Sequence, residues 1–517
     1  MKCALVLCSL SFLYSQICHS ANIVAFMPSP FYSHQIAFKP LWLALAKRGH
    51  KITLIQPNVI VENNENITHI VLNGTYDILD KYNHVHSLVE GQSVMKVLYA
   101  ALEAVMEGLE YQLTHPGVQE LLKGEKKVDL FFTEFLLTFG FSLGRSLNAP
   151  MIGVVSMDTT IEGHMSAGNP THPVMYPDRD MPYPLPLTLK ERMLNTLHWL
   201  VDRVMNEIFL NLQDRVASKC LGQQIPLNDI IKNVSLVFIN ANPLFNVVRP
   251  LGPKTVNIGG GVHLMEPQPL PTELQDYLDN ARNGVIYFSL GSTISSKHLS
   301  NTTKEVILKT FSQLPHDILW KFDEEIVSKP KNMKIMRWTP QQDLLRHKNI
   351  KLFITQGGLQ SVEEAIFNYV PMIVLPFFGD QHNNAEKMVA RGFGLTLDHN
   401  KLDVRTFRSA ILEVINNPKY RERTKESADL VMDQPMSGLE KAVWWTEYVL
   451  RHGQTDHFRN TLSDIPWYQF LLLDVILCFL VITVIVAYVS FKLLQLLKCL
   501  AYKLYGKLTR KIKTKIN

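Results

Sequence analysis

The sequence predicts an α/β protein made of two doubly wound parallel sheets, one in each half of the chain, with one apolar helix near the C-terminus. Three observations carry this. At 517 residues the chain is too long for a single ordinary core. Strand-like apolar runs alternate with helix-like segments on both sides of a Gly- and Pro-rich break, NIGGGVHLMEPQPLP, at 257–271. The stretch LLLDVILCFLVITVIVAYVSF at 471–491 is long enough to cross a hydrocarbon layer of roughly 30 Å.

In chain order, the first element is a leader. Lys2 precedes an apolar run from Ala4 to about Tyr14, and small residues follow at Ser20–Ala21, so residues 1–20 read as a secretory signal peptide. NIVAFMP (22–28) and KITLIQP (51–57) read as strands, with a helix between them that stops at Arg48–Gly49. VDLFFTE (128–134) and APMIGVV (149–155) repeat the pattern. Residues 165–186 hold six prolines and read as a loop. From 187 to 220 the spacing is helical, and the stripe Leu194, Leu197, Val201, Val204, Ile208 and Leu212 is read as core packing.

Beyond the break a second series is expected: VIYFSLG (285–291), ILWKF (318–322), MKIMRW (333–338), KLFIT (351–355), MIVLP (372–376) and GLTLD (394–398). In such sheets ligands bind beyond the carboxyl ends of the strands, where Ser289–Ser292, Trp338–Gln341, Gln356–Gln360 and Phe377–Gln381 fall. No GxGxxG and no Walker A motif is present, so dinucleotide and P-loop readings lack their warrant.

The ends suggest a topology. Trp467, Tyr468 and Tyr488 flank the apolar span as interfacial anchors would, and Asp474 lies near its start, within reach of headgroups. From Lys492 onward there are eight Lys or Arg and no acid; setting those eight aside takes the net charge from +5 to −3. The basic character belongs to a tail, so no nucleic-acid partner is expected. The positive-inside bias puts that tail in the cytosol and the body in the lumen, a type I arrangement. N-x-[ST] sequons at Asn66, Asn73, Asn233 and Asn301 lie in the lumenal part. The terminal KTKIN, with Lys513 and Lys515, resembles a dilysine return signal, so the endoplasmic reticulum membrane is the expected location. Of the cysteines, only Cys220 remains in the lumenal body once Cys3, Cys8 and Cys18 leave with the leader and Cys478 and Cys499 fall in or beyond the span. No CxxC or HExxH pattern appears, and no metal is expected.

The run WTPQQDLLRHKNIKLFITQGGLQSVEEAIFNYVPMIVLPFFGDQ, 338–381, resembles the signature of the UDP-glycosyltransferase family, and TQGGLQSVEEA resembles its insect branch in particular. The resemblance implies the GT-B fold, two Rossmann-like domains facing a cleft, plus a C-terminal transmembrane helix. It divides the chain into an acceptor domain at 21–262, a linker at 263–272 and a UDP-sugar domain at 273–435. A segment at 436–466 then returns to the first domain, followed by the span at 467–491 and the tail at 492–517. By the same resemblance Trp338 stacks on the uracil ring and Gln341 contacts ribose or base. Ser292 contacts phosphate, and Gly357 and Gly358 admit the diphosphate to a helix start. Gln360 and Ser361 add neutral donors, Glu364 accepts from the ribose hydroxyls, and Asp380 and Gln381 bind the sugar hydroxyls. Glu363 reads as a solvated neighbour. Many relatives carry His at the position of Gln356, whose amide donates without charge.

His34, in PSPFYSHQIAF, matches the family's catalytic base, and histidine titrates near neutral pH as a base must. Its partner carboxylate, an Asp in relatives, is Glu134 here. The implied reaction is transfer of a hexosyl group, with UDP-glucose favoured as donor, to a hydroxyl of a small lipophilic acceptor, with inversion and without cofactor or metal. The identity of the acceptor, the choice between glucose and glucuronate, and homo- or hetero-oligomerisation stay open. Two alternatives stand beside this reading: a non-catalytic lumenal carrier of lipophiles, and a transferase acting on lipid or protein in the secretory pathway.

Overall fold

A computed structural model of the protein describes residues 20–87, 94–178, 186–243, 246–291, 299–324, 326, 328–377, 379–460 and 464–516. The leader up to residue 19 and Ser292 lie outside them. The chain divides into two units, one ending at Asn460 and one beginning at Thr461.

The first unit holds two wholly parallel sheets. One contains β1 (Asn22–Phe26), β2 (Lys51–Gln56), β3 (Ile67–Val71), β4 (Leu130–Glu134), β5 (Met151–Val155), β6 (Leu236–Ile239) and β7 (Thr255–Asn257), in the order β3-β2-β1-β4-β5-β6-β7. The other contains β8 (Val285–Ser289), β9 (Asp317–Lys321), β10 (Met333–Met336), β11 (Ile350–Thr355), β12 (Met372–Val374) and β13 (Gly394–Thr396), in the order β10-β9-β8-β11-β12-β13. The runs LFFTE, MIGVV and VIYFS are buried at every position, as strands covered on both faces by helices must be. All ten strands expected from the sequence are present. β3, β6 and β7 come in addition.

Each sheet reverses its winding once, between β1 and β4 in the first and between β8 and β11 in the second. Ligands of doubly wound sheets enter at such switch points, beyond the carboxyl ends of the strands. Each sheet carries an apolar core on either face. The helix Gly438–His452 adds Ala442, Val443 and Val449 to the core that holds Leu41 and Trp42 of the helix Lys39–Lys47, and Arg48 Nη1 meets Glu447 Oε2 at 2.7 Å. The segment after the second sheet thus packs on the first.

One expected packing is corrected. In the 33-residue helix Leu189–Leu221, most of the stripe read as core is exposed: Leu194, Leu197, Val201, Val204 and Ile208 are each at least 41% accessible, and only Leu212 is half-buried. The face that is covered carries Asn195, Trp199, Leu210 and Gln213. Helical period identifies an apolar face without saying which face the body covers.

The second unit is dominated by the helix Leu473–Ile516, of which Leu473–Arg510 is long and apolar enough to cross a membrane. It extends well past the expected end at 491, and Asp474 lies in its first turn.

Candidate active site

The turn after β1 opens into the short helix Tyr32–Ile36, which carries His34, while Glu134 ends β4. Because β1 and β4 are neighbours, residues one hundred apart in sequence meet: His34 Nδ1 lies 2.5 Å from Glu134 Oε1. Glu134 is buried, and His34 keeps its other ring nitrogen for a further partner at a partly open position. The extra methylene of Glu134 relative to aspartate does not prevent contact.

On the second sheet, the turn after β11 places Gln356, Gly357 and Gly358 just before the helix Leu359–Phe367. Gly357 has φ +91°, and a side chain there would come within 2.7 Å of Val374 Cγ1, so glycine is required on both counts. Across the switch point, Gly291 follows β8; a Cβ added to it would run into the Gln356 amide. The buried Gln356 therefore lies over the backbone of the neighbouring turn. Asn384, in the helix Asp380–Arg391, donates to the Gly357 carbonyl at 3.0 Å and to Asp380 Oδ2 at 2.9 Å, tying the glycine turn to the Asp380–Gln381 corner. Gln381 is buried and accepts from the Phe377 N–H at 2.9 Å.

Trp338 stands beyond β10 and is 59% exposed, which rules out a core role. Tyr32 meets its ring edge-on at 6.1 Å between centroids, and Lys321, at the end of β9, sets its ammonium 4.9 Å from the ring centre while donating to the Gly291 carbonyl at 2.6 Å. Burial lowers the Lys321 pKa.

Gln341 Nε2 donates to Ser361 Oγ at 2.9 Å and to Glu364 Oε2 at 2.6 Å, and the Tyr287 hydroxyl donates to its oxygen at 3.0 Å. Gln342 Nε2 donates to the second oxygen of Glu364 at 3.0 Å. Burial pushes the Glu364 pKa up to about 7. Gln360 Nε2 donates to the Ser156 carbonyl, beyond β5, at 3.4 Å.

Glu363 is not solvated, contrary to its sequence reading. It is 1% exposed because the first sheet covers it: Asn240, beyond β6, donates to its Oε2 at 3.3 Å. His263, from the Gly- and Pro-rich connection, lies 3.4 Å from the same oxygen. Burial drives Glu363 up to about 8 and His263 down to about 4, so the pair sits as neutral acid and neutral imidazole rather than as an ion pair.

Lys321, Gln342, His263 and Asn384 were not singled out from the sequence. Lys321 could have been, since it is the last residue of β9; Asn384 lies one turn inside the helix Asp380–Arg391, well past the end of β12.

A sequence model of the family described as "UDP-glucoronosyl and UDP-glucosyl transferase" matches residues 24–509. The chain belongs to this family. The transferase is 33% identical over 476 residues to "UDP-glucosyltransferase 2" of Dactylopius coccus, covering 90% of each chain. It is 29% identical to "UDP-glucuronosyltransferase 2B16" of Oryctolagus cuniculus, covering 89% of this chain and 92% of that one. Among solved structures, the calicheamicin glycosyltransferase CalG4 matches with a TM-score of 0.58 at 16% identity, over 84% of this chain and all of that one. The transferase thus has the GT-B fold, and it is an enzyme of the UDP-glycosyltransferase class.

Proposed function

We propose that the transferase moves a hexosyl group, glucose by preference, from a UDP-sugar to a hydroxyl of a small lipophilic acceptor, with inversion at the anomeric carbon. One observation carries this reading. The His34–Glu134 pair sits at the switch point of the first sheet, and Tyr32, two residues away, touches Trp338 of the second. A proton acceptor and a donor-binding edge therefore face one cleft.

In this reading Trp338 takes the uracil ring, Glu364 and Gln341 the ribose, Gly357, Gly358 and the helix start the diphosphate, and Asp380 and Gln381 the sugar hydroxyls. Ser292 completes the phosphate contacts. Gln360 and Ser361 add neutral donors at the same turn, where Gln360 also bonds Ser156 and Ser361 bonds Gln341. The neutral Gln356 leaves the leaving group short of charge, and Lys321, bonded to the adjacent Gly291 carbonyl, supplies a cation next to the same turn. No metal is needed in this scheme. His34 takes the acceptor proton as the acceptor oxygen bonds to C1, the C1–O bond to the diphosphate breaks, and UDP leaves with the electron pair. Glu134 stabilises the resulting imidazolium. An α-linked donor becomes a β-linked glycoside.

The name of the Dactylopius relative and the insect-like TQGGLQSVEEA turn support glucose over glucuronate. The apolar helix Leu473–Arg510, the basic tail and KTKIN support an endoplasmic reticulum membrane protein with a lumenal body.

The test uses the purified full chain with radiolabelled UDP-glucose and UDP-glucuronate and a panel of phenols. UDP release that requires acceptor, faster with UDP-glucose, and a β-configured product by NMR coupling are expected. Acceptor binding with no UDP release from any donor would instead favour a carrier of lipophiles.

A further inference from the structure

The helix Tyr32–Ile36, which carries His34, is too short to hold its own direction. It has five residues, and Phe31 before it supplies no side-chain cap. Of the five only Gln35 is buried, at 0% exposure. An amide at the one covered position is costly unless its groups are bonded. Gln35 Nε2 donates to the Ser29 carbonyl, in the stretch after β1, at 2.9 Å. Its Oε1 accepts from the backbone N–H and from the side-chain amide of Asn58, in the turn after β2, each at 3.1 Å. Asn58 is itself held in place. Its Nδ2 also donates to the Tyr76 hydroxyl, on the helix Gly74–Ser87, at 2.6 Å, and its carbonyl accepts from Gln56 Nε2 at 2.8 Å.

We propose that Gln35 is a positioning residue for transfer: acting through Asn58, it fixes the rotation of this helix and so the direction in which His34 presents its second ring nitrogen. The inference rests on reading His34 as the base. Two features favour orientation over packing alone. An apolar side chain would cover the same place without a preferred direction, whereas three hydrogen bonds, to Ser29 and Asn58, set one. His34 is also the adjacent residue, about 100° around the helix. A turn of the helix about its axis would therefore draw His34 Nδ1 away from Glu134 Oε1, at the end of β4. A misplacement of about 1 Å at a reacting group costs up to about 10²-fold in rate.

The experiment is a double-mutant cycle on the purified full chain with radiolabelled UDP-glucose and a phenol: native, Gln35→Met, His34→Ala and both changes together. Gln35→Met keeps the length of the side chain and removes its hydrogen bonds. It is expected to lower kcat by about 10- to 100-fold, with KM for UDP-glucose and affinity for UDP close to native. In the His34→Ala background it should change transfer by less than about twofold, because the group it directs is gone. Asn58→Ala, which keeps the backbone N–H bond to Gln35, should give the same pattern with a smaller loss, and it carries the test if Gln35→Met does not fold. Equal losses in both backgrounds would overturn the proposal in favour of a purely structural amide. A native kcat in Gln35→Met while His34→Ala is slow would overturn it and leave the base in place. Transfer by His34→Ala at the native rate would remove the base, and the positioning role with it.

Discussion

Glu364 has both carboxyl oxygens bonded, by Gln341 and Gln342, at a buried place where its pKa stands at about 7. Hydroxyl donors from a ribose would favour the ionised form, so UDP binding should release a proton. Affinity for UDP is then expected to rise with pH, by up to about tenfold per unit below pH 7, and to level off above it. Calorimetry in buffers of different ionisation heat measures the released proton directly; a flat affinity with no proton release contradicts the ribose contact. Glu364→Gln should remove the pH dependence and weaken UDP by about tenfold or more. Glu363 gives a second prediction. Its pKa is about 8 in the fold against an ordinary 4.5, so the folded state holds the extra proton between those values. Its contribution to stability therefore falls as pH rises from about 4.5 to 8. Glu363→Gln, which mimics the neutral acid, should melt higher than the native chain at about pH 8.5 and close to it near pH 5. The difference between these two glutamates was not legible in the sequence. Adjacent helix positions point about 100° apart, and only the tertiary structure says that Asn240 from the first sheet covers one of them.

The turn after β11 shows what elements contribute. Its sequence, TQGG before a helix, already implied a glycine turn, and Gly357 has a positive φ. Gly357→Ala is expected to cost about 1–3 kcal/mol from the left-handed backbone and the contact with Val374 together. Thermal melting measures it, and an unchanged Tm would contradict the geometry. Lys321→Met should raise KM for the donor about tenfold with a smaller effect on stability, because the lost cation faces the turn that Gln356 leaves uncharged. The long buried strands were legible because covered parallel strands read as apolar runs. β3, β6 and β7 were not: ITHIV interrupts its apolar run with Thr and His, and LVFI and TVN are four and three residues long. Periodicity cannot resolve runs that short. The stripe on Leu189–Leu221 failed for the opposite reason, since a clear period was assigned to the wrong environment.

At the scale of the whole molecule, the proposed function requires two sheets that present their switch points to one another. Contacts from Tyr32 to Trp338, Gln360 to Ser156 and Asn240 to Glu363 hold them so. The order of the elements carried the fold, and the motif from Trp338 to Gln381 carried the family. The pairing of His34 with Glu134, expected from the resemblance, is made by the crossover that sets β1 beside β4. Glycan acceptors also separate at this scale. Asn73 and Asn301 are exposed, whereas the Asn66 amide is engaged with the Ala46 carbonyl and that of Asn233 with Asp229. A lumenal body therefore predicts that Asn73→Gln and Asn301→Gln each remove one glycosidase-sensitive band shift. The most direct test of the account is the turnover of His34→Ala with UDP-glucose and a phenol, with UDP affinity measured on the same preparation. Transfer should fall by about 10²–10⁴-fold while UDP binds as it does to the native chain; transfer at the native rate would contradict His34 as the base.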